Sequence, residues 1–188
     1  RVLALAAGGG DSNVYLHDRA TETMVKGLDL SRSRILAFAT HGLIAGELRN
    51  AEPALVLTPP KTASKTDDGL LTASEIAQLK LNADMVILSA CNTAAGDGIE
   101  GAEGLSGLAK AFFYAGSRSL LVSHWPVDTE AATRLTTEMM RQLAENDHPG
   151  RSEALRRSML VLMNDSKDPH FAHPLFWAPF VVVGEGAR

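Results

Sequence analysis

The stretch Met85-Val86-Ile87-Leu88-Ser89-Ala90 carries no charge and is apolar on both faces of a pleat. A strand with one wet face alternates apolar with polar residues. One that reads apolar throughout is expected between two helical layers. Five more short apolar runs stand along the chain, several of them apolar on both faces: residues 2–7 (VLALAA), 34–39 (RILAFA), 54–57 (ALVL), 120–123 (LLVS) and 180–183 (FVVV). Helical patterns stand between them. Residues 20–28 close on Gly27-Leu28, and Thr72-Ala73-Ser74-Glu75 ahead of Ile76 has the form of a capping box. Residues 105–115 place Leu105, Leu108, Ala109, Phe112 and Phe113 on one stripe and stop at Gly116. Residues 128–145 open on Asp-Thr-Glu, which suits a helix dipole, and residues 152–163 form the last helical pattern. Strands alternating with helices predict an α/β sandwich on a mostly parallel sheet of about six strands. Residues 58–69 (TPPKTASKTDDG) read as an exposed loop, and residues 96–104 (GDGIEGAEG) as a glycine-rich one.

Composition removes several function classes. The chain has 188 residues, 45% apolar and 21% charged, the make-up of one ordinary globular domain, residues 1–188. That length supports a full core without metal or disulfide staples. No run approaches 18 apolar residues, so no transmembrane helix is expected. Net charge is −4 and aromatics make up 5%, without the basic excess or aromatic platform of a nucleic-acid binder. Cys91 is the single cysteine, which excludes an internal disulfide and fits a reducing, cytoplasmic compartment. The chain opens on Arg1, not Met, and reads as a part cut from a longer protein. Gly8-Gly9-Gly10 is not followed by a dinucleotide fingerprint, and no phosphate loop is present. No GxSxG occurs, so a serine nucleophile elbow is unsupported. His17, His148, His170 and His173 lack metal-ligand spacing, so neither a metal nor another cofactor is expected.

Ligands of parallel α/β sheets bind outside the carboxyl ends of the strands. Thr40-His41-Gly42 follows the run at 34–39, Cys91-Asn92-Thr93 follows the run at 85–90, and His124-Trp125-Pro126-Val127-Asp128 follows the run at 120–123. Cysteine attacks as its thiolate, and a nearby imidazole lowers the thiol pKa and later protonates a leaving amine. His41 precedes Cys91 by fifty residues, the order and gap seen in caspases, although the local caspase motif around the cysteine is absent. Taken singly, each residue has a plainer reading: a cysteine ending an apolar run is most often a small buried hydrophobe, and a histidine beside glycine a turn residue.

These blocks, with Glu103-Gly104-Leu105, Phe112-Phe113-Tyr114-Ala115-Gly116 and His173-Pro174-Leu175-Phe176-Trp177-Ala178-Pro179-Phe180, resemble the CHAT domain (caspase- and HetF-associated with TPRs) from about residue 20 to residue 184. The resemblance implies a three-layer α/β/α sandwich of the caspase, separase and gingipain group. It implies a cysteine endopeptidase with His41 and Cys91 as its dyad, and an oxyanion hole made by the backbone N–H groups of Gly42 and Cys91. Separase-like relatives place an acid near Asp128 to recognise a basic residue at the cleavage site, and a carboxylate would pair an arginine bidentately. Asp128 reads equally well as the N-cap of the long helix. Asn92, His124 and Trp125 complete the candidate substrate-binding set; for His124 and Trp125 a structural role is the alternative. The expected partners are a protein or peptide substrate and an upstream tetratricopeptide-repeat region. A catalytically silent signalling or interaction module is the competing reading.

Overall fold

The computed structural model describes residues 13–43, 52–89 and 107–187. In chain order its strands are β1 (Ile35–Phe38), β2 (His41–Leu43), β3 (Ala54–Val56), β4 (Leu70–Thr72), β5 (Met85–Leu88), β6 (Ser119–Ser123) and β7 (Phe180–Gly184). Its helices are α1 (Glu22–Gly27), α2 (Ala73–Ile76), α3 (Gly107–Ala115), α4 (Thr129–Leu143) and α5 (Arg151–Met163). The run at residues 2–7 and the loop at 96–104 lie outside the described residues, as do Leu105, Cys91 and Asn92.

The main sheet has the order β1-β5-β6-β7. The first three strands are parallel and β7 joins antiparallel. Every residue of β5 and β6 is buried, as their two-sided apolar sequence predicts. Their alternate side chains feed two cores. Val86, Leu88, Leu120 and Val122 pack with Leu108, Ala109 and Phe112 of α3 and with Ile76 of α2. Met85, Ile87 and Leu121 pack with Ala131, Leu135 and Met139 of α4 and with Ala154 and Leu155 of α5. The fold is mixed α/β, with a mostly parallel main sheet and helices.

The expectation of about six strands in one sheet is corrected. Among the described residues the main sheet has four, and the run at 54–57 instead forms β3, the middle of a separate antiparallel sheet ordered β2-β3-β4. The reason is connection length. Only Ala39 and Thr40 separate β1 from β2, far fewer than a parallel crossover needs, so the chain turns out of the main sheet. Residues 57–69 then fold β4 back along β3 as a hairpin.

The caps read from the sequence form. Thr72 and Glu75 make a reciprocal box: Thr72 N donates to Glu75 Oε2 at 2.9 Å and Glu75 N to Thr72 Oγ1 at 3.4 Å. The helix it opens is a single turn, because Leu79 already lies in the turn beyond it. Gly116 ends α3 with φ +109°, and a Cβ there would come within 2.4 Å of the Leu81 carbonyl oxygen.

Candidate functional site

Adjacent parallel strands β1 and β5 end side by side, and two of the three polar clusters follow them in the sequence. Phe38, the last residue of β1, pairs with Leu88, the last residue of β5, and Ser89 N donates to Phe38 O at 3.0 Å. His41 follows Phe38 by three residues, and Cys91 follows Leu88 by the same three. The third cluster follows β6, the next strand across, so the strand leading to Cys91 is flanked by those leading to His41 and to His124. Cys91 and Asn92 themselves lie outside the described residues.

His41 opens β2 and is exposed; Gly42 is half-buried. A three-residue strand has little stability of its own. It is held by register with β3, His41 opposite Val56 and Gly42 opposite Leu55, and Leu55 is fully buried in the core under α3. Thr40 adds a side-chain tie: its Oγ1 donates to the Val56 carbonyl, so the residue before the histidine grips the residue opposite it. Beneath β1 the Phe38 ring lies 5.5 Å from that of buried Phe112. No sequence pattern announces the Thr40–Val56 bond, because it joins residues 16 apart in the chain.

Past β6, His124, Trp125, Pro126 and Asp128 are exposed, while Val127 packs against the α4–α5 core. His124 N donates to Pro179 O at 3.0 Å. That bond ties the cluster to the turn entering β7, whose first residue, Phe180, pairs with Ser123. Asp128 caps α4: its Oδ1 accepts from Ala131 N at 2.9 Å. The capping reading therefore holds for one carboxylate oxygen.

The turns leading to that edge are organised by Arg134, which the sequence did not single out. It pairs with Glu130 at 2.7 Å on its own helix, Asp165 at 2.8 Å past α5, and Asp168 at 2.6 Å before the turn at Pro169–Ala172. Its guanidinium also sits 4.8 Å from the Phe171 ring centroid. Phe171 in turn meets Phe176 edge-on at 5.2 Å. Trp177 Nε1 donates to Ala172 O at 3.3 Å. The block from His173 to Phe180 is thus tied to this network through Phe176 and to His124 through the Pro179 carbonyl.

Among the described residues no group of three His, Cys, Asp or Glu side chains could hold a metal ion. Among them, no helix is long and apolar enough to cross a membrane.

Comparison with known proteins gives the setting. The chain is similar to tetratricopeptide repeat protein 28 of Mus musculus, 31% identical over 119 residues, which is 63% of this chain and 5% of that protein. The Homo sapiens protein of the same name is 29% identical over 119 residues, 4% of its length. The chain therefore spans only about one twentieth of these relatives. The CHAT domain family matches residues 1–185. Nearly the whole chain thus belongs to the CHAT domain family, a group related to the caspase-like cysteine peptidases.

Proposed function

We propose that this chain is a cysteine endopeptidase domain that cuts proteins after a basic residue, with Cys91 as nucleophile and His41 as its acid and base. The observation that carries this reading is the register. The pairing offset between β1 and β5 is fifty residues at every position, and so is the gap from His41 to Cys91. Both candidate residues thus follow, by the same three positions, two strand ends that are paired with each other.

Chemically, His41 takes the Cys91 proton, and the thiolate attacks the scissile carbonyl carbon. The N–H groups of Gly42 and Cys91 receive the developing oxyanion; one such donor is worth ~10²–10³ in rate. Imidazolium His41 then protonates the leaving amine, and water hydrolyses the thioester. Asn92, His124 and Trp125 line the substrate groove. Asp128 receives the basic side chain through its second carboxylate oxygen, since the first caps α4. In this reading the two helical layers and the sheet are a caspase-like three-layer sandwich. Residues 1–188 are then one domain at the C-terminal part of a cytoplasmic tetratricopeptide-repeat protein, with the repeats as the sensing platform.

A peptide library tests this. Cleavage after Arg or Lys, lost in Cys91→Ala and in His41→Ala, is the expected result. Cleavage that persists in Cys91→Ala would remove the nucleophile assignment, and cleavage only after Asp would remove the basic pocket. The second reading, a silent interaction module, draws on the relatives being named for their repeats. It predicts no cleavage of any peptide.

A further inference from the structure

The hairpin loop of residues 57–69 springs from the strand end beside the candidate base. Val56 pairs with His41 on one side and with Leu70 on the other, and the loop runs between Val56 and Leu70. Its base is pinched: Leu57 N donates to Gly69 O at 2.8 Å. Gly69 has φ +87°, and a Cβ there would come within 2.9 Å of Pro59 Cα.

The two legs of the loop differ. The returning leg is latched to α1. Buried Glu22 accepts from Asp68 N at 2.9 Å and Gly69 N at 3.2 Å, and Lys26 Nζ donates to Thr66 O at 3.1 Å. Lys65 is locked inside a turn, in which Ser64 N donates to Asp67 O at 2.8 Å and Ser64 Oγ accepts from Asp67 N at 3.0 Å. On the outgoing leg, Lys61, Thr62 and Ala63 are exposed and make no hydrogen bond among the described residues. Pro59 and Pro60 stiffen the leg ahead of them, and the chain bends at Lys61 and Thr62. Exposed tips of small and polar residues are where chains are nicked, and residues 61–63 have no hydrogen bond among the described residues to break before they can enter a cleft.

We propose that this chain is its own substrate, cut by a second copy at the Lys61–Thr62 peptide bond and not at Lys65–Thr66. This rests on the peptidase reading above. Cys91 of the cutting copy attacks the Lys61 carbonyl carbon, and the C–N bond to Thr62 breaks. Thr62 leaves as an amine carrying the proton from His41. Water then hydrolyses the Lys61 thioester, giving a carboxylate and restoring the thiol. The cut is between copies because Thr58 is anchored through its N–H to Ala20 O at 2.9 Å and through its hydroxyl to His17 O at 2.6 Å, which keeps the leg from folding back over its own strand. The cut chain stays together: β3 and β4 remain paired, and Leu55, Leu71 and Ile76 are fully buried in one shared core.

The test uses the intact chain. Catalytically inert Cys91→Ala is the substrate, wild type is the enzyme, and fragments are read by mass. The expected products are residues 1–61 and 62–188, co-eluting under native conditions. Lys61→Gln blocks the cut and Lys65→Gln does not. Trypsin, itself specific for Lys and Arg, should open Lys61–Thr62 first among the described residues of folded Cys91→Ala. Resistance of that bond to trypsin overturns the loop argument whatever the activity. Wild type that cleaves library peptides but leaves Cys91→Ala intact, or cuts it after Lys65, overturns the self-cleavage inference alone. Wild type inert to every peptide overturns the peptidase reading, and this one with it.

Discussion

Phe38 and Leu88 face each other as the last paired residues of two adjacent parallel strands. The fifty residues between them are also the fifty between His41 and Cys91. The β1–β5 pairing offset and the sequence gap between the two candidate residues are therefore equal. A shift of β1 by one residue against β5 would break the coincidence and turn every β1 side chain to the other face.

Asp128 separates two roles by chemistry. Asp128→Ala removes both the cap and the charge and should cost about 0.5–2 kcal/mol of stability. Asp128→Asn keeps an oxygen for Ala131 N and should leave the unfolding midpoint nearly unchanged. If Asp128 also recognises the basic side chain, Asn alone lowers kcat/KM for arginyl peptides while sparing peptides with a neutral residue there. Equal loss on both peptides would leave Asp128 as a cap only.

Thr40 holds the candidate base in place. Thr40→Val keeps the shape but removes the donor to the Val56 carbonyl. The expected result is a lower kcat, by up to ~10²-fold for a group displaced by about 1 Å, with faster amide exchange at Gly42. Thr40→Ser should restore both. A Thr40→Val protein with wild-type exchange at Gly42 would show that β3 pairing alone fixes β2.

Phe112 is fully buried and supports Phe38 from below. Phe112→Ala should cost ~3–5 kcal/mol, measured as a shift of the urea midpoint.

Acid should release the tie between α1 and α2. Burial disfavours the Glu75 carboxylate, but hydrogen bonds from Lys26 and Thr72 outweigh it and hold its pKa below the ordinary value of 4.5. A depressed folded-state pKa means the carboxylate stabilises above pH 4.5, and that contribution fades as pH falls through the lowered pKa. Glu75→Gln should therefore be less stable than wild type at neutral pH, and the gap should close in acid. A gap independent of pH would show that Glu75 acts through shape, not charge.

The strands were legible where burial on both faces leaves an unbroken apolar run, as in β5 and β6. The caps were legible because Thr72 and Glu75, or Asp128 ahead of α4, act on neighbours a few residues away. β2 and β4 were not: three residues are too few to show a period of two, and their pairing depends on a hairpin closed elsewhere. Arg134 was equally silent, because its partners Asp165 and Asp168 lie more than thirty residues away. Of the candidate residues, His41 and Gly42 follow β1 but lie within β2 of the second sheet, and His124, Trp125 and Asp128 follow β6. The tie from Thr40 to Val56 became visible only with the fold.

The dyad is tested most directly by labelling Cys91 with an arginyl electrophile, in wild type and in His41→Ala, beside an aspartyl probe. The account predicts fast labelling by the arginyl probe, dependent on His41, and slow labelling by the aspartyl one. Labelling of Cys91 no faster than a free thiol, and indifferent to His41, would contradict it.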